Sequence, residues 1–397
     1  MKILMINSVC GIRSTGKICT DLANELEHNG HEVKIAYGRE SVPERFQKYA
    51  VRIGNNIDVK LHALKARFID ASGFGSKRAT KKFIRWVKEY DPDIIHLHNL
   101  HGYYINIEVL FNYLKDSGKP IVWTLHDCWT FTGHCAHFEL INCSKWKNQC
   151  ENCCQTKNYP KSFIFDNSRR NYQLKKKLFT SMENLTIVTP SYWLANLVRE
   201  SFLGDNEIEV INNGIDTNVF KPTAGDFRAK YNLENKKIIL GVASAWGKNK
   251  GLYDFVKLSE MLDDEFKVVL VGLTKEQQKK MPPQILGITR TDSVTQLAEI
   301  YTAADFFVNP TYQDTYPTVN LEAQACGTPV ITYRTGGSVE SVPAEQTINP
   351  GDLTALCQML KTAGNYKITN ANFSSDHNFR NHMDLYERKV NSLQGNK

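Results

Sequence analysis

AEIYTAADFFVNPTYQDTYPTVNLEAQACGTPVITYRTGGSVE, residues 298–340, holds a complete strand–helix–strand unit. FFVNPT and TPVITYR are short apolar runs of the kind a parallel strand needs when both of its faces are covered. Between them, Thr315 and Pro317 suit the opening of a helix, and Gly327 with Pro329 closes it. Strand, helix and strand in this order make a right-handed parallel crossover, the building block of doubly wound sheets.

The same rhythm extends in both directions. KILMINS, EVKIAYG, DIIHLH and PIVWTLH read as buried parallel strands, and GKICTDLANELEHNG and IEVLFNYLKDSG carry helical spacing and end in glycine. A second series follows with LTIVTPS, IEVINNG, KIILGVAS and KVVLVG. Two series over 397 residues predict an α/β chain of two doubly wound domains, each large enough to bury its own core. Gly, Asn, Asp and Pro cluster from Asp205 to Thr223, which places the boundary there. The expected division is 1–204, 205–372 and a closing helix within 373–397, with a cysteine-rich insertion at 128–154. Ligands of such sheets bind at the carboxyl ends of strands, at the topological switch point, so a cleft between the two domains is the expected active site.

Composition excludes several classes. Hydrophobic residues at 42% and charged residues at 23% describe a globular protein rather than a disordered one. MKILMINSVCG turns polar too soon for a signal peptide, and no apolar run has the length of a membrane span, so a cytoplasmic location with reduced thiols is expected. The net charge of +7 is uneven: nine Lys or Arg face one acid, Asp70, between Lys60 and Lys88, and a second basic stretch runs from Lys157 to Lys177. These stretches read either as solvated helix faces or as a surface for an anionic membrane or acceptor. Nucleic acid is not expected as a partner, because neither stretch belongs to a recognisable binding motif.

Within the opening stretch, Asp314 precedes the helix start and Glu322 lies about two turns inside it. The first backbone N–H groups, around Tyr316, Pro317, Thr318 and Val319, offer partial positive charge suited to a diphosphate. Eight helical residues rise about 12 Å, too far for the paired acid and base of a glycoside hydrolase. The two carboxylates therefore suit hydroxyl groups at opposite ends of a long ligand.

Asp-x7-Glu, the LEAQACGTPVI that completes it and the Gly336-Gly337-x-x-Glu340 beyond resemble the signature of family-4 retaining glycosyltransferases with the GT-B fold. Gly11 and Gly16 after the first strand, His126 after PIVWTL, NNGID at 212–216 and AEIYTAADFFVNPT agree in order, and HDCWTFTGHC is similar to the colanic-acid and exopolysaccharide type. The resemblance implies a metal-independent hexosyltransferase moving sugar from a UDP- or GDP-linked donor to a glycan or lipid-linked acceptor at the inner face of the membrane. It implies Glu322 on the ribose and Asp314, where the family more often has Glu, on the transferred sugar. Backbone groups of Tyr316 to Val319 and the side chain of Lys250 would meet the phosphates, His126 the transferred sugar, and Gly16 would let the N-terminal loop approach them. The family's usual second cation, five residues before Lys250, is Ala245 here; either Lys248 or the indole of Trp246 replaces it, or the diphosphate is held with one cation fewer. A sucrose- or trehalose-type synthase and, in another class, a basic zinc-knuckle nucleic-acid binder are the competing readings.

Six of the ten cysteines fall between Cys128 and Cys154. Cys135, Cys143, Cys150 and Cys153 have spacing that can close a structural Zn²⁺ site; free thiols or disulfides are the alternatives. No cofactor is expected for catalysis.

Overall fold

The computed structural model describes residues 1–180, 182–362, 366–369 and 373–394. Thirteen strands lie among the described residues, in two parallel sheets. The first contains β1 (Lys2–Ile6), β2 (Glu32–Tyr37), β3 (Ala50–Arg52), β4 (Ile94–Leu97), β5 (Ile121–Thr124), β6 (Leu185–Thr189) and β7 (Glu207–Val210), in the order β3-β2-β1-β4-β5-β6-β7. The second contains β8 (Lys237–Val242), β9 (Phe266–Val271), β10 (Ile285–Ile288), β11 (Phe306–Asn309), β12 (Val330–Tyr333) and β13 (Thr347–Ile348), in the order β10-β9-β8-β11-β12-β13.

Helices α1 (Arg13–His28), α2 (Asn56–Ile69), α3 (Lys77–Tyr90), α4 (Ile107–Ser117), α5 (Ser168–Phe179) and α6 (Tyr192–Arg199) accompany the first sheet. The second has α7 (Phe227–Lys230), α8 (Leu252–Met261), α9 (Lys275–Lys279), α10 (Val294–Ala303), α11 (Thr318–Ala325) and α12 (Leu353–Lys361), and α13 (Ser375–Gln394) ends the described chain.

Successive strand side chains point to opposite faces, so each sheet feeds two cores. From β1, Ile3 and Met5 join one cluster while Leu4 and Ile6 join the other. In β8, Ile239 separates from Ile238 and Leu240 in the same way. The near-continuous apolar runs in the sequence follow from this double coverage.

The chain divides into Met1–Asn212 with Asn378–Lys397, and Asn213–His377. Two features differ from the sequence expectation of breaks after 204 and 372. IEVINNG forms β7, which pairs with β6 and completes the first sheet instead of opening the second. Helix α13 returns to the first unit, where Met383, Leu385 and Tyr386 join the cluster around Ile3 and Met5. Arg388 adds an ion pair to Glu209 at 2.7 Å, and Lys389 another to Glu207. Apolar spacing within a helix does not encode which sheet it covers.

The cysteine-rich insertion forms short 3-10 turns at Trp129–Phe131, Glu139–Ile141 and Lys145–Lys147. Trp129, Phe131, Phe138 and Trp146 are buried, with Phe138 stacked on Trp146 at 5.0 Å. The buried ammonium of Lys175, on α5, donates to the carbonyls of Trp129 at 2.6 Å and Thr132 at 3.0 Å and lies over the Trp129 ring. These contacts tie the insertion to α5.

Candidate active site

In the second sheet, β8 and β11 are neighbours although they are not consecutive in the chain, so the switch point lies between their carboxyl ends. Beyond β8, residues Lys248–Lys250 form a 3-10 turn that leads through Gly251 into α8. Gly251 has φ +68°, and a Cβ there would lie 2.4 Å from the Pro310 carbonyl, so only glycine permits this approach. The Asn249 carbonyl accepts from the Tyr312 amide at 2.9 Å and from the Thr311 hydroxyl at 3.3 Å, tying the turn to the segment after β11. The result places Lys250 Nζ 2.6 Å from Asp314 Oδ2.

Helix α11 starts at Thr318 after Pro317, and no side chain caps its first turn. Its inner face is anchored by Asn320, which accepts from Asn309 Nδ2 at 2.8 Å and donates to Ser341 Oγ at 2.9 Å. Gln324 donates to the Ser341 carbonyl at 2.8 Å. The segment before the helix is fixed where the Gly337 amide donates to the Asp314 carbonyl at 3.1 Å, and Asn213 Nδ2 donates to the Tyr316 carbonyl at 3.1 Å. Glu322 receives the Tyr301 hydroxyl at 2.9 Å. Burial, and then the neighbouring Glu322 charge, holds the Tyr301 phenol well above its ordinary pKa, so it remains a donor to that carboxylate. A cation, an uncapped helix N-terminus and two carboxylates on either side of it can together receive a diphosphate flanked by hydroxyl-bearing groups.

Trp246 is not a replacement for the cation lacking at Ala245. Its indole is buried and donates to the Val271 carbonyl at 2.8 Å. Lys248 is exposed in the same turn as Lys250.

The first sheet has its own switch point, between β1 and β4. Asn7, buried after β1, donates to the Val9 carbonyl at 2.9 Å and accepts from the Asn99 amide at 3.3 Å, joining the two loops. His98 Nδ1 and His126 Nε2 are 3.0 Å apart, with their rings stacked. The other nitrogen of His98 is buried and has no partner. His101 lies 2.7 Å from Asp127 through Nε2 and 3.0 Å from the Tyr159 hydroxyl through Nδ1. Burial lowers the His126 pKa to about 4, so its imidazole is neutral at pH 7. Burial alone would raise Asp127, but the charge and hydrogen bond of His101 outweigh it and leave the carboxyl at about 2. Gly16 lies in the first turns of α1, its carbonyl accepting from the Gly11 amide at 3.1 Å. A side chain at Gly16 would press on Val9 at 3.0 Å, so its smallness serves closure of the loop on the helix.

The structure thus brings Lys250, Asp314 and Tyr316 to Val319 together in the second unit, with Glu322 further along α11, while His126 and Gly16 belong to the first. His98, His101, Asp127 and Tyr301 are additions to the sequence-derived set. The three histidines of HLHNLH after an apolar run were the available signal for the first two. Tyr301 carried none, because its helix reads as ordinary core.

Among the described residues, no group of three or more His, Cys, Asp or Glu side chains is placed to hold a metal ion. Cys135, Cys143, Cys150 and Cys153 are free cysteines, and all four line one small cavity together with His134 and Cys154. A hydrogen bond between the Cys135 and Cys153 thiols lowers the Cys153 pKa and raises that of Cys135.

Comparison with known proteins agrees with this arrangement of two Rossmann-like units, the GT-B fold of glycosyltransferases. The model for Glycosyltransferase Family 4 matches residues 15–219, more than half of the chain, and that for glycosyl transferases group 1 matches residues 236–363. The protein is a glycosyltransferase, and it belongs to Glycosyltransferase Family 4. It is 24% identical over 391 residues to WcaC of Escherichia coli K12, which bears a colanic acid biosynthesis glycosyl transferase name; the match covers 91% of this chain and 90% of WcaC. The sucrose-phosphate synthase of Thermosynechococcus elongatus superposes with a TM-score of 0.73 at 16% identity, covering 98% of this chain and 99% of that one. Anabaena HepE in complex with UDP-glucose gives a TM-score of 0.60 at 14% identity, covering 100% of this chain and 98% of HepE.

Proposed function

We propose that this glycosyltransferase moves a sugar, with retention at the anomeric carbon, from a UDP- or GDP-linked donor to a glycan or lipid-linked acceptor of a cell-surface polysaccharide. The observation that carries the reading is Lys250, 2.6 Å from Asp314, at a switch point that also presents the uncapped start of α11. WcaC's name supports a polysaccharide product, and the UDP-glucose held by HepE supports a nucleotide-sugar donor.

In this reading the diphosphate takes Lys250 and the amides of Tyr316 and Thr318 to Val319 as its partners, and Pro317, with no N–H, sets the entry into the helix. Asp314 then exchanges its ion pair for the hydroxyls of the transferred sugar. Glu322, oriented by Tyr301, takes the ribose. The C–O bond to the leaving phosphate breaks on the face where the acceptor hydroxyl attacks, and the departing diphosphate accepts the acceptor's proton. Lys250 and the helix terminus stabilise the charge that develops, so no divalent ion is needed for that purpose. Neutral His126, aligned by His98, contacts the transferred sugar in the same reading. A cytoplasmic protein held peripherally at the inner face of an anionic membrane would meet such an acceptor. The exposed Lys77, Arg78, Lys81, Lys82 and Arg85 of α3 supply the attraction.

The test is donor hydrolysis and transfer across UDP-, GDP- and ADP-linked sugars in EDTA, with the product anomer read by NMR. Activity with one nucleotide class and a retained anomer is expected. Inversion, or a strict Mg²⁺ requirement after chelation, overturns the mechanism. Transfer to fructose 6-phosphate or glucose 6-phosphate overturns the polymer reading in favour of the small-acceptor synthase that the sucrose-phosphate synthase likeness suggests.

A further inference from the structure

Helix α2 is amphipathic in the inverse sense. At about 100° per residue, Ile57, Leu61, Leu64 and Phe68 fall within an arc of about 60°. This ridge faces solvent, with exposures of 67%, 60%, 50% and 46%. The opposite face carries the buried His62 and Ala66. His62 fastens that face, accepting from the Gly75 amide at 3.0 Å and bonding Ser76 Oγ at 3.0 Å. The helix is therefore held in place by its inner side, and the apolar ridge is left over.

A second segment extends the ridge. Phe163, Ile164 and Phe165 form an exposed apolar triplet. The Phe163 amide donates to the Arg67 carbonyl at 2.7 Å, and the Phe165 amide to the Phe68 carbonyl at 3.2 Å. Asn167 Nδ2 donates to the Ile69 carbonyl at 2.7 Å, so the loop lies along the last turn of α2. Seven large apolar side chains gathered in this way are not the scattered exposure usual on a surface.

Charge selects the occupant. Lys60 and Arg67 flank the ridge on one side and Lys65 on the other, all exposed. The one acid of the helix, Asp58, is engaged in its capping box with Asn55. Lys157 and Lys161 precede the aromatic triplet. A second copy of this chain would bring like charges together around the ridge. A bilayer interface with anionic headgroups satisfies both features, because the side chains of Lys60, Lys65 and Arg67 can reach headgroup phosphates while Leu and Phe enter the acyl boundary.

We propose that the ridge of α2 and the Phe163–Ile164–Phe165 loop form an insertion surface by which this glycosyltransferase docks on anionic bilayers. This deepens the membrane part of the proposed function: α3 supplies long-range attraction, and α2 with the loop supplies an apolar hold that salt does not screen. The test reads lipid binding without activity, so the docking surface and the transferase mechanism can fail independently.

The full chain is sedimented with vesicles of phosphatidylglycerol and phosphatidylcholine, or of phosphatidylcholine alone, in 0.15 and 0.5 M NaCl. Binding to the anionic vesicles is expected at both salts, weaker at the higher. Phe163→Ser/Ile164→Ser/Phe165→Ser should lower the partition coefficient at least tenfold, including the part that resists salt. Leu61→Gln/Leu64→Gln, on a different element, should do the same and guards against a local fold defect in the loop. Lys60→Gln/Lys65→Gln/Arg67→Gln should reduce the preference for anionic over neutral vesicles, leaving the share that α3 supplies. Donor hydrolysis without lipid and the unfolding midpoint should be unchanged in all three. Absence of vesicle binding, complete release at 0.5 M NaCl, or wild-type binding by both apolar variants overturns the proposal. Self-association in lipid-free solution that the triplet variant removes, without vesicle binding, also overturns it and gives the ridge to a second copy.

Discussion

The two units share a doubly wound design and differ in what they place at the switch point. Ten of the eleven histidines and eight of the ten cysteines lie in the first; the second has only His377, Cys326 and Cys357. The second unit presents charged side chains, Lys250 and Asp314 on short, well-tied turns and Glu322 on α11. The first presents neutral imidazoles buried in a network running from His96, which meets Tyr386 and Thr124, to His98 and His126. Charge density suits a diphosphate, and neutral donors and acceptors suit sugar hydroxyls. The comparison teaches that one fold can carry charged or neutral groups at its switch point according to the loops after two strands.

The largest expected effect falls on the charged side. Lys250→Ala should lower kcat about 10²–10³-fold, the loss typical of removing one group that stabilises developing charge, with the thermal midpoint little changed. If Lys248→Ala is the damaging variant and Lys250→Ala is not, the phosphate cation has been assigned to the wrong end of the turn.

Glu322→Ala should cost at least about tenfold in kcat/KM, because hydrogen bonds to a charged group are worth about 1.5–3 kcal/mol each. Near-wild-type turnover in a folded variant would remove the ribose assignment.

Acid should separate the units. His62, His126 and His382 have pKa values lowered to about 4, and His96 and His98 lie well below the ordinary 6.5, all chiefly through burial. The unfolded chain therefore binds more protons than the native one as pH falls from 6.5 toward 4, so their contribution to stability is present above 6.5 and is lost across that window. His134, raised by Asp70 against its own burial, works in the opposite direction and offsets part of the loss. Brief pepsin digestion at pH 4.5 should cut the first unit before the second, and first cuts confined to residues 213–377 would contradict the histidine account.

The smallest effect tests the departure at Ala245. This position is exposed in the loop between β8 and the turn that carries Lys250, and Ala245→Arg should tighten UDP or GDP binding about three- to tenfold by adding a charge-assisted contact. Calorimetry showing no change would mean that the loop does not aim position 245 at the phosphates.

Most of this architecture was legible in the chain. Buried parallel strands must be apolar throughout, so FFVNPT, KILMINS and KIILGVAS announced themselves, and glycine and proline punctuated the crossovers. The α11 site was legible because helix-opening residues, Asp314 and Glu322 are local in sequence. The His101–Asp127 pair was not, since it joins residues 26 apart that only the pairing of β4 with β5 makes neighbours. Cysteine spacing was legible too, and the fold brings Cys135, Cys143, Cys150 and Cys153 to one cavity, but spacing sets only how far thiols can reach and not which of them bond to one another.

By itself, the sequence determined the class of many elements, the two-domain count and the helix start that follows Asp314, because periodicity and helix-end chemistry act over a few residues. Tertiary structure alone decided that β7 and α13 belong to the first unit, that Trp246 is core, and that the apolar side of α2 faces outward. Each of these depends on which surface meets which, and an apolar stripe reads the same whether it is covered by a sheet or left exposed.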